Sequence, residues 1–375
     1  MKLDAGLFLI LCITLLSSTT RSHVLDEAPL IDGHNDLPYN LYKLTENNLD
    51  KYNFEKNLTN DPVWGSKYCK SCFTDLPRLR AGKVAAQFWV AYVDCKVQYK
   101  DALAKTIEQI DVIKRFAKRY QNYLHLATST ADITNAFASG KIASLIGVEG
   151  GHSMDSRLGV LRMLYDLGAR YMTLTHACNT PWADNSYVDD SKPVHNLTAF
   201  GRLVVREMNR LGMLVDLSHV SHNVMNQAID ASVAPIFFSH SSAYAVRNHN
   251  RNVQDSTLRK VKENRGVVMV NFASNFVNSD PLQASIEDVA KHINHIVNVA
   301  GINSVGIGAD YDGVSSMPKG LEDVSKYPDL FDLLQAQNAS RWTNENLKLL
   351  AGGNFLRVFQ EVENVCSEYT TSMFK

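Results

Sequence analysis

The chain has 375 residues, is 45% hydrophobic and 21% charged, and carries a formal net charge of −1. That is ordinary globular composition. With no basic block there is no electrostatic footprint for nucleic acid, and a purely charge-driven partner is excluded with it. Length alone permits two or three domains, but α/β barrels often run this long as one unit.

The N-terminus reads as a secretory leader. Met1-Lys2 forms a weak basic start, Leu7 to Leu16 is a short apolar stretch, and small or polar residues follow. The apolar stretch is too short for a membrane span of ~20 residues and has the length of a signal core. Cleavage is expected between Ser18 and His23, so residues 1–22 are assigned to the leader and 23–375 to a single domain. The alternative is a buried first strand.

Eight apolar runs follow, at 30–36, 85–92, 141–150, 170–176, 213–219, 235–240, 266–272 and 304–310. Most are continuous rather than alternating, as parallel strands covered on both faces must be. Helical-period segments lie between them, at Ala102–Tyr120, Leu158–Leu167, Leu197–Leu211 and Ile286–Ala300. Strand followed by helix, eight times, predicts a (β/α)8 barrel over an open sheet. Residues 40–80 are polar and Asn-rich and read as an insertion on the site rim. Residues 322–375 read as a C-terminal extension, helical over Asn344–Gln360. The polar end at Ser372–Lys375 carries no lipid-anchor signal, which needs a hydrophobic tail of roughly 10–20 residues.

The ends of the apolar runs carry the chemistry. His34 and Asp36 close the first run as H-x-D. Residues two apart on a strand face the same way, so the pair can share a metal; alone, a strand-corner His is as often a satisfied structural residue. Glu149 ends the third run, where a buried carboxylate is costly unless paired or metal-bound. His219 and His240 end two more runs. A lone strand-end His is more often structural, but two of them beside H-x-D and a buried Glu reverse that reading. These five side chains suffice for two metals about 3.5–4 Å apart, sharing one carboxylate and a bridging hydroxide. Asp310 ends the eighth run and faces the mouth, suited to proton transfer. Asp312 reads as a loop cap. His176 closes the fourth run, where an imidazole N–H can stabilise an oxyanion. Arg251 lies in a polar loop at the rim, suited to a bidentate grip on a carboxylate. His152 is left without a role, and His125, His195, His222, His249, His292 and His295 read as bland.

Secretion favours disulfides. Without Cys12, which lies in the leader, Cys69, Cys72, Cys95, Cys178 and Cys366 remain, an odd number that leaves one thiol over. The Cys69-x-x-Cys72 spacing has no second pair, which argues against a zinc knuckle. Sequons at Asn57, Asn196 and Asn338 fit a secreted glycoprotein.

Taken together the motifs IDGHNDLP, QFWVAY, ASLIGVEGGHSMDS, TLTHACNTPWADN, SHVS, FSHSSAY, RNV, GADYDG and LEDVSKYP resemble the renal, or membrane, dipeptidases of the amidohydrolase superfamily, from about Ile31 to Gln360. The resemblance implies a two-zinc centre: His34 and Asp36 on one ion, Glu149 bridging, His219 and His240 on the other. It implies that His176 touches the substrate carbonyl, Arg251 holds the terminal carboxylate and Asp310 shuttles the proton. The implied activity is hydrolysis of dipeptides, including those with a C-terminal D-residue, by a homodimer. It also implies a Cys95–Cys178 disulfide. Three departures stand out: Phe276 replaces a Tyr found near the substrate in vertebrate members, a second family disulfide is replaced by Arg247 and Ser279, and a lipid-anchor signal present in many relatives is missing. The competing readings are a barrel hydrolase acting on a lactam, lactone or other amide, and a secreted binding protein without catalysis. Mn or Co can occupy similar ligands.

Overall fold

The computed structural model describes residues 22–65, 67–190 and 195–373. The apolar leader stretch lies outside them. Among the described residues nine strands form: β1 Leu30–Asn35, β2 Val84–Tyr92, β3 Leu124–Leu126, β4 Ile142–Glu149, β5 Ala169–Thr173, β6 Leu214–Asp216, β7 Phe237–Phe238, β8 Val267–Val270 and β9 Val305–Ile307. All pairings are parallel, and they run β2-β1-β9-β8-β7-β6-β5-β4, with β4 pairing back to β2 to close the ring. The result is the (β/α)8 barrel. The additional strand, β3, lies outside the ring and pairs only with the start of β4, Leu124 against Ile142. Its three residues are too few to show a period, and His125 on it is exposed, so no apolar run marked it in the sequence.

Continuous apolar composition is explained by burial on both faces. All eight residues of β4 and all six of β1 are buried. Ala86, Phe88, Val90, Leu145, Phe237 and Met269 fill the barrel interior. Amphipathic helices pack outside, including Ala102–Arg119, Leu158–Asp166, Ala199–Leu211 and Ile286–Ala300. Helix Ala199–Leu211 starts at the Thr198 cap and stops at Gly212, whose φ of 78° is the left-handed turn glycine takes without strain.

The C-terminal segment is part of the core rather than an appendage. It is helical over Asn344–Lys348, widens to a π turn over Leu349–Gly353, and resumes over Asn354–Met373. At Gly352 a Cβ would stand 2.4 Å from the Pro29 carbonyl oxygen, so the close approach to β1 requires glycine. Phe355, Val358 and Phe359 then pack into the cluster that contains Ile31 and Phe88. This plugs the N-terminal end of the barrel and leaves the C-terminal end open for chemistry, the usual division in this fold.

The observed strands are shorter than the apolar runs. β5 stops at Thr173, β7 at Phe238 and β9 at Ile307, so His176, His240 and Asp310 lie a few residues beyond strand ends. The structure joins Cys95 to Cys178 and Cys69 to Cys72; Cys366 is in neither bond. Asn57 and Asn338 are exposed and Asn196 is half-buried.

Candidate metal centre and active site

Six side chains from five strand ends converge on one point. The Glu149 Oε1 atom lies 3.0 Å from His219 Nε2, 3.5 Å from His240 Nε2 and 3.5 Å from His34 Nε2. His34 Nε2 is also 3.1 Å from Asp36 Oδ2 and 4.0 Å from Asp310 Oδ1. The two imidazoles of His219 and His240 meet at 2.9 Å between their Nε2 atoms. Glu149 sits where β4 pairs with Tyr92 of β2 on one side and Thr173 of β5 on the other, which fixes its backbone on both flanks. Asp36 stands at the N-cap position of the helix Leu37–Thr45 that follows β1, and its side chain makes no capping bond.

The electrostatics are those of a site built for cations. Burial pushes Glu149 up to about 8, against the pull of the His34 charge. Burial raises Asp310 to about 7. Burial opposes charging of His34, but Glu149 and Asp36 outweigh it and hold that imidazole near 10. Burial, then Arg251 and neighbouring imidazoles, push His219 well below the usual range; His240 is pushed the same way by burial, His34 and Arg251. The neutral imidazoles of His219 and His240 and the crowded carboxylates are donors that borderline and hard divalent metals prefer, and a cation held there would take the place of the proton on His34. Asp36 Oδ1 is buried with no hydrogen-bond partner among the described residues. An orphaned buried acceptor is costly, and a bound cation removes the cost. The donors therefore fit zinc.

A supporting layer orients these groups. Tyr171, pointing up the barrel from β5, places its hydroxyl 3.0 Å from His34 Nδ1. Asp216 at the end of β6 accepts the Ser218 and Ser239 N–H groups at 3.0 and 2.8 Å and the Ser239 hydroxyl at 2.6 Å. That hydroxyl is 2.7 Å from His240 Nδ1. Asp32 accepts the N–H groups of His34 and Ala309 at 3.1 and 3.0 Å, and the Tyr327 hydroxyl donates to its other oxygen. Burial raises Asp32 to about 6. Sequence reasoning missed Asp216, Asp32, Ser239 and Tyr171. The available signal was an acid inside an apolar run, two residues before His34 and three before His219, which cannot be buried without partners.

The other candidate residues surround the same cleft. The His176 ring lies 4.3 Å from His219 and edge-on to Tyr92 at 4.7 Å. Burial, then Arg251, hold its pKa down at about 3, so it stands as a neutral donor. Asn271 donates to Asp310 Oδ2 at 3.2 Å. At Gly313 a Cβ would stand 2.2 Å from Asp36 Oδ2 and 2.4 Å from Asp310 Oδ1, so only glycine leaves room for both carboxylates. Arg251 is buried at 1% exposure instead of standing on the rim. Its backbone N–H is held by His249 Nδ1 at 3.1 Å, and its guanidinium lies over the Phe276 ring at 5.4 Å. One nitrogen donates weakly to the His240 carbonyl at 3.4 Å, while Nε and Nη1 have no partner among the described residues. His249, read as bland, thus braces Arg251 and lies 4.6 Å from Phe276. Asp312 accepts the Phe73 N–H and Thr74 hydroxyl at 2.9 and 2.8 Å; it ties the inserted segment to the barrel mouth rather than capping its own loop. His152 donates from Nε2 to the Val93 carbonyl, 3.0 Å away, and stays outside the cluster.

A cavity of about 280 Å³ opens over this centre, walled by Asp36, Glu149, His219 and Asp310 below and by Tyr39, Tyr92, Phe276 and the inserted-segment residue Ser71 around it. A closed parallel barrel with His, Asp and Glu donors gathered at its C-terminal mouth defines a metal-dependent hydrolase of the amidohydrolase type. Residues 19–373 match the family model of the membrane dipeptidases, peptidase family M19, and the chain belongs to that family; it is a zinc-dependent dipeptidase. Solved structures agree in fold. A dipeptidase AC, a metallopeptidase of family M19, superposes with TM-score 0.78 at 24% identity over 89% of this chain and 98% of that one. A metallopeptidase from Rhodobacter sphaeroides, liganded with a phosphinate mimic of the dipeptide L-Ala-D-Ala, gives 0.77 at 23% over 89% and 99%. The probable dipeptidase PvdM from Pseudomonas aeruginosa gives 0.78 at 19% over 91% and 97%.

Proposed function

We propose that the chain is a secreted dipeptidase with two zinc ions per chain, cleaving dipeptides that include those with a C-terminal D-residue. His34, Asp36, Glu149, His219 and His240 would hold the ions. The observation that carries this reading is the meeting of three imidazole Nε2 atoms within 3.5 Å of a single Glu149 oxygen. Zinc, when bound, supplies Lewis acidity and a water acidic enough to attack near neutral pH.

The chain's own residues do the rest. Arg251, with two guanidinium nitrogens lacking partners, takes the substrate's terminal carboxylate; a buried cation without a counter-charge is costly, and a free carboxylate satisfies it where a lactam does not. His176 donates to the scissile carbonyl oxygen, which gathers negative charge as attack proceeds. Asp310, held by Asn271 beside His34 and Asp36, takes the proton from the attacking water and passes it to the leaving nitrogen. Phe276 walls the side-chain space without a hydroxyl. The Rhodobacter sphaeroides structure, with its L-Ala-D-Ala mimic, supports extension to a C-terminal D-residue.

The leader, the sequons at Asn57, Asn196 and Asn338 and the two disulfides support an extracellular glycoprotein made as a single domain over 23–375. No described helix is long and apolar enough to cross a membrane. A homodimer rests on the family resemblance alone. The test is turnover of a panel of L,L- and L,D-dipeptides by the purified protein, with metal content measured beside it. Activity lost to a chelator and restored by zinc, at two ions per chain, is the expected result. Chelator-resistant hydrolysis, or indifference to amidation of the substrate carboxylate, overturns the reading.

A further inference from the structure

The helix Leu37–Thr45 presents one face to the active-site cavity. Asp36, Tyr39, Asn40 and Lys43 all line it, at the i, i+3, i+4, i+7 spacing of a single helical stripe. The stripe begins at a proposed metal ligand and ends in a lysine. At 1.5 Å per residue the two Cα positions are about 10 Å apart along the axis, within reach of a dipeptide residue extending from the centre to a long lysine side chain. The Lys43 ammonium lies 5.4 Å from the Tyr39 ring centroid, a cation–π contact that steadies it. Its side chain is exposed, and it is in none of the ion pairs within 4.0 Å among the described residues, although Glu46, Glu108 and Asp111 line the adjoining groove.

The remaining charges on the cavity wall are spoken for. Asp36, Glu149 and Asp310 surround the metal centre, and Asp312 is held by Phe73 and Thr74. Among the described residues that line the cavity, Lys43 is the charge not already engaged there. Arg251, which follows β7, stands three strands round the ring from β1 by way of β9 and β8. A dipeptide whose terminal carboxylate is held at Arg251 therefore presents its N-terminal residue toward Lys43. There the ammonium repels the substrate's own α-ammonium, and a side-chain carboxylate offsets that repulsion.

We propose that Lys43 is a specificity residue that favours dipeptides with an acidic N-terminal residue over neutral ones and disfavours basic ones. The inference rests on the dipeptidase reading of the same site. It is tested by kcat/KM for Glu-Ala, Ala-Ala, Lys-Ala and Ala-Glu with the zinc-loaded protein, its Lys43→Ala, Lys43→Arg and Lys43→Glu variants, at low and high salt. Exposed ion pairs of 0.2–1 kcal/mol correspond to up to about fivefold. The Glu-Ala to Ala-Ala ratio is expected to fall about two- to fivefold in Lys43→Ala, to persist in Lys43→Arg, and to invert toward Lys-Ala in Lys43→Glu. In the parent the ratio should also shrink as salt screens the pair, and in Lys43→Ala it should not. Ratios that do not move in Lys43→Ala and Lys43→Glu overturn the proposal, as does an equal effect on Ala-Glu. A parent that cleaves none of the four peptides overturns the dipeptidase reading itself.

Discussion

Asp216 is the residue whose loss should reach furthest without touching substrate. It is completely buried, and a carboxylate can only accept hydrogen bonds. The Ser239 hydroxyl therefore donates its one hydrogen to Asp216, at 2.6 Å. Ser239 must then accept from His240 Nδ1, 2.7 Å away. This chain of donors fixes His240 with its proton on Nδ1 and its lone pair on Nε2, the atom facing Glu149. In Asp216→Asn the two backbone donors of Ser218 and Ser239 claim the remaining oxygen, which turns the new amide N–H group toward the Ser239 hydroxyl. Ser239 now accepts from the amide and donates to His240 Nδ1, and the His240 proton moves to Nε2, where it blocks metal binding. Loss of such an orienting partner typically costs 10–100-fold in metal affinity. Zinc affinity, measured by competition with a chromogenic chelator, should fall by about that factor. Dipeptide hydrolysis should become dependent on added zinc and recover at excess. Unchanged zinc affinity in a folded Asp216→Asn protein would refute the tautomer argument.

Three further outcomes are expected. Arg251→Ala removes a charge-assisted bond of ~1.5–3 kcal/mol, so kcat/KM for dipeptides should fall about ten- to a hundredfold and the preference for a free carboxylate over its amide should collapse; equal discrimination in mutant and parent counts against the role. Phe276→Tyr should raise dipeptide efficiency by up to roughly tenfold, the worth of one hydrogen bond, with metal content unchanged; flat or lower efficiency across a varied panel means the pocket is adapted to Phe276. His292 accepts the Ala243 N–H at Nδ1 and donates from Nε2 to the Val277 carbonyl, tying the loops after β7 and β8. Burial lowers its pKa to about 4, so the unfolded chain binds its proton more readily. Its contribution is fully present above the unfolded value near 6.5 and is lost as pH falls toward 4, on the order of 2–3 kcal/mol. His292→Asn should flatten stability against pH in that window, and parallel parent and variant curves in denaturant titrations would rule this out.

Much of this was legible in the sequence because burial on two faces leaves a plain mark. β1 and β4 are wholly buried and β2 is buried but for Tyr92, so their sequences are long and mostly apolar, and Glu149 at the tip of β4 has few cheap explanations. The short strands were legible only as runs. Phe237–Phe238 makes just two ladder residues, and the chain beyond it reaches His240 in irregular backbone. What could not be read were groups defined by partners distant in sequence. Asp32 is held by Tyr327, almost 300 positions on, and nothing local announces that pairing. Arg251 reads as a rim residue because polar neighbours surround it in sequence; in space it is roofed by Phe276 and braced by His249. The π turn over Leu349–Gly353 answers a close approach to β1, a tertiary demand that overrides helix propensity.

The backbone at the site shows why rigid support is needed. His219 and Asp310 both take left-handed conformations, with φ of 66° and 67°, although neither is glycine. Each such residue costs of order 1–3 kcal/mol and persists only where its surroundings over-determine it. The reason is geometric. Side chains on a strand alternate in and out, so with Leu214 facing the barrel interior a chain that simply continued past β6 would turn His219 outward. A left-handed turn swings it inward. The restraint is visible around both. The His219 carbonyl accepts the Ser186 N–H at 2.7 Å and the Thr175 hydroxyl at 3.2 Å, and Asn271 holds the Asp310 carboxylate. Substituting Thr175 or Asn271 therefore acts through the position of a site residue rather than through the substrate, and its cost should appear in metal binding and turnover before it appears in global stability.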